Sequence, residues 1–180
     1  MINKALISIY IFVISLSNVF ANSNAPLKTT LDNGLKVIIK QSNKPNVAVA
    51  MIWYKVGSAD EPGGITGISH ALEHMMFKGT KNYPPNTYSK LISQNGGQEN
   101  AFTTKDYTAY FAKLNSEKLP IFLKLESDRM TNLILEDTEF AKEIKVVREE
   151  RRMRTDDNAQ SLLYERFMAL THIAAPYHHP

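Results

Sequence analysis

The sequence has no cysteine among its 180 residues, which excludes thiol catalysis and a disulfide scaffold. It also lacks a glycine-rich phosphate loop, an internal repeat and a low-complexity tract. Its formal net charge of +3 is small and scattered, so no nucleic acid is expected as a natural partner. With 43% hydrophobic and 22% charged residues, the composition is that of a globular protein with a substantial core.

Histidine is scarce as well, yet two of the five histidines stand in one motif, His70-Ala-Leu-Glu-His74. On a helix, His70 and His74 project from one face and can bind one tetrahedral metal ion. Glu73 lies on the same face and can take a proton from a metal-activated water. This H-x-x-E-H order is the inverzincin signature. The motif predicts one Zn²⁺ per chain, with Glu73 as the catalytic base. The alternative is a helix whose histidines merely face solvent.

The neighbouring residues favour a helix at this motif. Residues 63–67 are rich in glycine, Thr66 or Ser69 is available as the N-cap, and Gly79 supplies a stop. Apolar residues at the remaining positions are expected to bury the helix: Ile68, Leu72, Met75, Met76 and Phe77.

A catalytic zinc site needs a third protein ligand and one position left open for water. The candidate segment runs from Glu143 to Arg151, within a helix predicted over about residues 136–154. Glu149 and Glu150 are neighbours that point about 100° apart on a helix, so only one of them can face the metal. Spacing alone does not choose between them.

Together these segments resemble the pitrilysin/insulinase family of metallopeptidases, which includes insulin-degrading enzyme, the mitochondrial processing peptidase and bacterial proteins similar to the latter. The family has a glutamate in a pattern like E-x-x-x-V-x-x-E, at a spacing that the 75 residues between His74 and Glu150 match. The resemblance implies that Glu150 is the third zinc ligand. Glu143, two turns earlier on nearly the same stripe, is expected to orient a histidine. Glu149 and the nearby arginines are interpreted as a solvated face with ion pairs.

The resemblance extends over residues 35–180. Residues 53–61 resemble the family strand before the zinc helix, and residues 95–107 resemble its G-G-x-x-N-A-x-T segment. In relatives this segment is an edge strand to which an extended peptide adds, which implies that Asn100, Ala101 and Thr103 bind the peptide substrate. The glycines at 96 and 97 would let another backbone approach closely, although an ordinary turn there is the alternative.

The order of predicted elements indicates an α+β fold, a mainly antiparallel sheet with helices packed on one face. A hairpin is expected to turn at Asn33-Gly34, and a further strand is expected over residues 47–56. Later strands are predicted near 99–103 and 107–114, and helices near 85–94, 116–133, 136–154 and 161–170. The buried side of the helix after Ser116 is expected to hold Leu119, Phe122, Leu123, Leu125, Met130 and Leu133.

Residues 1–21 have the pattern of a secretory signal peptide, with Lys4, an apolar stretch and Val19-Phe-Ala21. The zinc-bearing peptidase domain is then expected over residues 22–180, secreted or periplasmic, with no stable membrane insertion after cleavage. An uncleaved membrane anchor is the alternative.

Relatives are expected to continue beyond the stretch that resembles residues 175–180, with the rest of the first domain and a second similar domain that contacts substrate. The resemblance therefore implies an N-terminal portion of a zinc endopeptidase that acts on peptides or unfolded polypeptide segments. A second homologous domain or subunit is the expected partner. The alternative is a truncated, non-catalytic peptide-binding or assembly subunit, and a metal-storage protein is a third and less favoured reading.

Overall fold

The structure, a computed structural model, describes residues 25–179. The chain forms two compact units, Met1–Pro45 and Asn46–Pro180, and the first of these is described from residue 25 onward. The predicted signal peptide lies outside the described residues. Among residues 25–179, no helix has the length and apolar character needed to cross a membrane.

The first unit contains a β-hairpin. Strand β1 (Leu27–Thr30) pairs antiparallel with β2 (Lys36–Ile39). Between them, Gly34 has a positive φ, and the Asn33 side chain accepts a hydrogen bond from the Leu35 amide. The predicted turn at Asn33-Gly34 is therefore confirmed.

An antiparallel three-stranded sheet lies at the centre of the second unit. Its strands are β3 (Val47–Tyr54), β4 (Gln98–Thr103) and β5 (Thr108–Asn115), in the spatial order β3-β5-β4. Strand β3 alternates between more exposed and less exposed residues, as expected when only one face of a sheet is covered. On the less covered face, the Trp53 side chain packs edge to face against Phe102.

Five α-helices accompany the sheet in the described part of the chain: α1 (Ile68–Met75), α2 (Thr87–Gln94), α3 (Leu119–Asn132), α4 (Asp137–Arg151) and α5 (Ala159–Thr171). Helices α2 and α3 pack on the sheet through one buried cluster: Tyr88, Ile92, Ala112, Leu114, Phe122 and Leu125. Gly97 stands between α2 and β4, where an added Cβ would lie 2.8 Å from the Ile92 side chain. Gly97 is therefore needed for the close approach of the chain to Ile92 in the turn between α2 and β4. The α+β fold predicted from the element order is confirmed.

Two predictions about buried helix faces were partly wrong. In α3, Phe122 and Leu125 are buried, but Leu123 and Met130 are about half exposed. Apolar residues occur on more than one side of this helix, so periodicity could not tell which side is covered. In α1, Met75 and Met76 are buried while Ile68 and Leu72 are each 40% exposed.

Helix α4 is shorter than the predicted segment. It ends at Arg151, and the next residues form a single π-helical turn, Arg152–Asp156. Such turns are rare and occur often near functional sites. The turn begins two residues after Glu150, the predicted third ligand.

Candidate zinc site

Helix α1 begins at a turn that is held by a buried carboxylate. Gly67, directly before the helix, has a φ of 91°, in the left-handed region that favours glycine. The carboxylate of Glu61 accepts hydrogen bonds from the amides of Gly67, at 2.6 Å, and Ser69, at 2.7 Å. The Ser69 hydroxyl donates to the Gly57 carbonyl instead. Neither Thr66 nor Ser69 is the cap, so that prediction was wrong.

His70, His74 and Glu150 meet where α1 packs against α4. The Nε2 atoms of His70 and His74 lie 3.2 Å apart. Oε2 of Glu150 is 3.6 Å from Nε2 of His70, and Oε1 is 3.9 Å from Nε2 of His74. One ligand atom from each residue lies within 4.8 Å of the others, and Glu73 is not part of this cluster.

The cluster fits a zinc ion in chemistry and in spacing. Two ligand atoms bound tetrahedrally at about 2.1 Å lie about 3.4 Å apart, close to the observed separations. Two imidazoles and one carboxylate are a ligand set of catalytic zinc sites. Oε2 of Glu150 is buried and makes no hydrogen bond, although Nη1 of Arg154 forms an ion pair with it at 3.3 Å.

Electrostatics favour the neutral, metal-binding form of His70. Burial of the imidazole, followed by the charge of His74, lowers the pKa of His70 below its ordinary value. A histidine must be neutral to bind a metal ion, so this shift suits a ligand.

Glu143 holds the other side of His74. Its Oε2 lies 3.1 Å from Nδ1 of His74, and Nζ of Lys78 lies 2.5 Å from its Oε1. Burial by itself would raise the pKa of Glu143, but hydrogen bonds from Lys78 and His74 outweigh that effect and lower it. Glu143 is therefore an anion that orients His74. Sequence reasoning did not identify Lys78, which lies four residues after His74 and beyond the end of α1.

Glu73 contacts strand β4. The Thr103 hydroxyl donates a hydrogen bond to Oε2 of Glu73. Because β4 is an edge strand of its sheet, the predicted peptide-binding residues stand at an open edge in the described part of the chain. The side-chain oxygen of Asn100 accepts a hydrogen bond from the Ala101 amide, 2.8 Å away. Of the three predicted residues, Thr103 is thus the one that contacts Glu73.

The charged residues around the π-helical turn fall into two groups. Glu149 is exposed and pairs with Arg152, as the interpretation of a solvated face expected. Nη1 of Arg154, in contrast, lies 3.3 Å from Oε2 of Glu150 although the arginine side chain is 72% exposed. Sequence reasoning placed Arg154 with the solvated arginines and missed this contact, although the two residues are four apart, a spacing at which side chains on a helix can meet.

Comparison with known proteins gives the family. A family model described as "Insulinase (Peptidase family M16)" matches residues 36–180. The chain belongs to the insulinase family, peptidase family M16. This M16 chain is 42% identical over 150 residues to zinc protease PqqE of Helicobacter pylori, an alignment that covers 83% of the chain and 34% of PqqE. It is also 37% identical over 137 residues to cytochrome b-c1 complex subunit 1 of Rattus norvegicus, covering 76% of the chain and 28% of that protein.

A solved structure agrees with the fold of the M16 chain. The crystal structure of a protease from Helicobacter pylori superposes with a TM-score of 0.81 at 40% sequence identity, covering 86% of this chain and 38% of that one. The chain thus spans about a third of the length of the relatives it matches. The match to zinc proteases supports a peptidase lineage and implies zinc as the metal.

Proposed function

We propose that the chain carries the catalytic zinc site of an M16 endopeptidase that hydrolyses peptides or unfolded polypeptide segments. The observation that carries the proposal is the convergence of His70, His74 and Glu150 on one point, with ligand atoms within 4.8 Å of one another. The family supports peptide hydrolysis in general. The residue roles that follow are our assignment.

In the proposed mechanism, His70, His74 and Glu150 hold zinc, and Glu73 moves the proton. Zinc, when bound, supplies Lewis-acid chemistry that acidifies water and polarises a peptide carbonyl. The Glu73 carboxylate takes the proton from the attacking water and passes it to the leaving amine. Glu143 keeps the His74 ring in place through Nδ1. An extended peptide aligned along β4, near Asn100 and Ala101, would bring its scissile bond beside Glu73.

Glu73→Gln tests this assignment because the amide has nearly the same shape but cannot act as a base. We expect the variant to keep zinc and to lose about two to four orders of magnitude in peptidase activity, as for loss of general-base catalysis. Glu149→Gln, an exposed carboxylate on α4, is the control and should change neither property. Loss of zinc from Glu73→Gln would make Glu73 a ligand and overturn the assignment.

A non-catalytic binding or assembly subunit is the second candidate. The similarity to a subunit of the cytochrome b-c1 complex favours it. The intact His70-Ala-Leu-Glu-His74 motif favours the enzyme. A chain that binds zinc and peptide, but hydrolyses none of a quenched peptide library with or without added homologous domains, would support this second candidate.

We further propose that activity needs a second homologous domain or subunit. In α5 the apolar side chains of Leu163, Phe167 and Leu170 are 69%, 57% and 75% exposed. Exposed apolar surface of this kind commonly marks an interface. The chain alone should therefore hydrolyse peptides weakly or not at all, and should gain activity when it is co-expressed with the remaining part of Helicobacter pylori PqqE. Robust chelator-sensitive turnover by the chain alone, lost in Glu73→Gln, would contradict this requirement.

We also propose that residues 1–21 are a cleaved secretory signal, which would place the protein outside the cytoplasm, secreted or periplasmic. The support is the sequence pattern of a positive residue, an apolar stretch and small residues near the expected cleavage point. Expression in a bacterium with a working export pathway should yield a product that starts near Asn22, as measured by intact mass. A stable product that retains Met1 in the membrane fraction would refute the cleavage.

A further inference from the structure

One side chain, that of Thr103, connects Glu73, the proposed catalytic base, to the sheet. The Thr103 hydroxyl donates to Oε2 of Glu73, although Glu73 is on helix α1 and Thr103 is the last residue of strand β4. This contact joins the zinc helix to the edge strand. The resemblance implied a different role for Thr103, contact with the peptide substrate.

The Thr103 hydroxyl that makes this contact packs against Thr108 of β5. Thr103 pairs with Thr108 of β5, and Oγ1 of Thr108 lies 3.4 Å from Oγ1 of Thr103. Thr108 is 4% exposed, and its hydroxyl also lies 3.0 Å from the Val56 carbonyl. The pairing of β4 with β5 fixes the backbone of Thr103. The single proton of the Thr108 hydroxyl goes to the nearer Val56 carbonyl, so the buried Thr108 packs against the Thr103 hydroxyl and limits where it can lie.

A restraint on Glu73 matters because a glutamate is itself a good zinc ligand. Glu73 stands next to His74 on a long, flexible side chain. If its carboxylate reached the point on which His70, His74 and Glu150 converge, it would add a fourth protein ligand. A site closed in this way has no open position for water and is structural in character. In the structure, the carboxylate of Glu73 lies outside the ligand cluster.

We propose that Thr103 is a positioning residue that holds Glu73 away from the metal, so that Glu73 serves as a base and not as a fourth ligand. Its hydroxyl occupies Oε2 and leaves Oε1 as the basic oxygen. The inference rests on the proposed zinc site, and it assigns to Thr103 a task that does not require contact with the peptide.

Metal binding by the full chain tests the inference without any need for catalysis. Thr103→Val keeps the shape of the side chain and removes the hydroxyl, whereas Thr103→Ser keeps the hydroxyl. Zinc affinity is measured by competition with a chromophoric chelator, and the number of ligands is followed by the visible absorption of the Co²⁺-substituted chain. Circular dichroism shows that each variant is folded, and Thr103→Ala is a second variant without a hydroxyl.

We expect Thr103→Val and Thr103→Ala to bind zinc about tenfold more tightly than the parent, as expected for releasing one charge-assisted hydrogen bond and gaining a ligand. Their Co²⁺ spectra should differ from that of the parent. Both effects should disappear when Glu73→Gln is added, and Thr103→Ser should match the parent. Where peptidase activity is measurable, Thr103→Val should lower kcat and leave KM nearly unchanged.

Unchanged zinc affinity and an unchanged Co²⁺ spectrum in both Thr103→Val and Thr103→Ala would overturn the inference while leaving the proposed function intact. A loss of affinity that does not depend on Glu73 would also overturn it, because it would indicate a structural role. A rise in KM alone in Thr103→Val would mean that Thr103 binds the substrate and does not position Glu73. A parent chain that binds no zinc would overturn the proposed function and this inference together.

Discussion

Nδ1 of His74 lies 3.1 Å from a carboxylate oxygen of Glu143, a residue 69 positions further along the chain. Because Glu143 is an anion, the ring donates from Nδ1, and Nε2 keeps its lone pair for a metal ion. Lys78 binds the second oxygen of the same carboxylate. The three residues Lys78, Glu143 and His74 thus form one hydrogen-bonded chain that ends at the proposed zinc site.

Zinc affinity should depend on this chain. We expect Glu143→Gln to weaken zinc binding about 10- to 100-fold, the usual effect of removing a carboxylate that supports a metal-binding histidine. Lys78→Met should weaken it in the same direction, because Glu143 loses the cation that holds it in place. Lys78→Arg should restore much of the affinity. The measurement is competition with a chelator of known affinity.

Glu149→Gln is the matched control for this series. It removes a carboxylate from the same helix, and the Glu149 side chain is 54% exposed. It should leave zinc affinity unchanged. If Glu149→Gln and Glu143→Gln lose the same amount of zinc affinity, overall charge controls the affinity. The contact between Glu143 and His74 would then have no specific effect.

The three proposed ligands should each be needed for metal binding. After dialysis, elemental analysis of the parent should give nearly one zinc per folded chain, and His70→Ala, His74→Ala and Glu150→Ala should each lose most of it. The spacing of their ligand atoms is the reason for this expectation. Retention of zinc in all three variants would place the metal elsewhere.

Acidification should protonate His70 only below the range in which an ordinary histidine titrates. Burial lowers the pKa of His70 below its usual 6.5, so this ligand stays neutral to a lower pH than a solvated histidine. Protons compete with the metal once the ligands titrate. We therefore expect zinc affinity to fall on acidification, with the part of the fall that is due to protonation of His70 lying below the range of a solvated histidine, measured by chelator competition with circular dichroism at each pH. A fall that is complete above pH 6.5 would contradict the shift.

Local patterns in the sequence were enough to predict much of the fold and the shared helix face of His70 and His74. Strand β3 alternates in burial because one face of its sheet is covered, and its residues have the β-branched and aromatic character of a strand. His70 and His74 share a face because a helix repeats every 3.6 residues. Glu150, in contrast, was chosen over Glu149 only through the family resemblance, since neither spacing nor helix geometry separates them.

Contacts between distant segments could not be predicted from the same patterns. Glu61 precedes α1 by several residues, and nothing local shows that its carboxylate turns back onto the amides of Gly67 and Ser69. The contact between Thr103 and Glu73 depends on which face of β4 meets α1. Arg129 is 2% exposed, and no local pattern marks it as an exception to the usual exposure of charged residues.

Glu61 should contribute to stability. Its buried carboxylate accepts two backbone hydrogen bonds at the start of α1, so Glu61→Ala leaves two amides without their partner. We expect a loss of about 1–3 kcal/mol in the free energy of unfolding, measured by urea denaturation. Glu117→Ala, at an exposed position, is the control. Equal stability of the two variants would mean that water replaces the carboxylate at the helix start.

Arg129 is held by aromatic rings on several sides. Its guanidinium carbon lies 4.4 Å from the ring centre of Tyr110, 4.5 Å from that of Tyr88 and 5.1 Å from that of Phe77. Nη2 lies 2.5 Å from Oε1 of Glu126, which also accepts the Tyr88 hydroxyl at 2.5 Å. These contacts compensate for the burial of both charges, because a guanidinium interacts favourably with the faces of aromatic rings.

The stability of the second unit should therefore depend on keeping the two charges together. Arg129→Met leaves Glu126 buried without its cation and should lower the free energy of unfolding by about 3–5 kcal/mol. Arg129→Lys keeps the charge but not the planar group that stacks on the rings, so an intermediate loss is expected. In the double variant Glu126→Gln/Arg129→Met no buried charge remains unpaired, and we expect it to be more stable than Arg129→Met alone. Urea denaturation of the parent, Glu126→Gln, Arg129→Met and the double variant gives the double-mutant cycle. Additive losses would show that the ion pair contributes no coupling, and that the aromatic contacts alone account for the burial of Arg129.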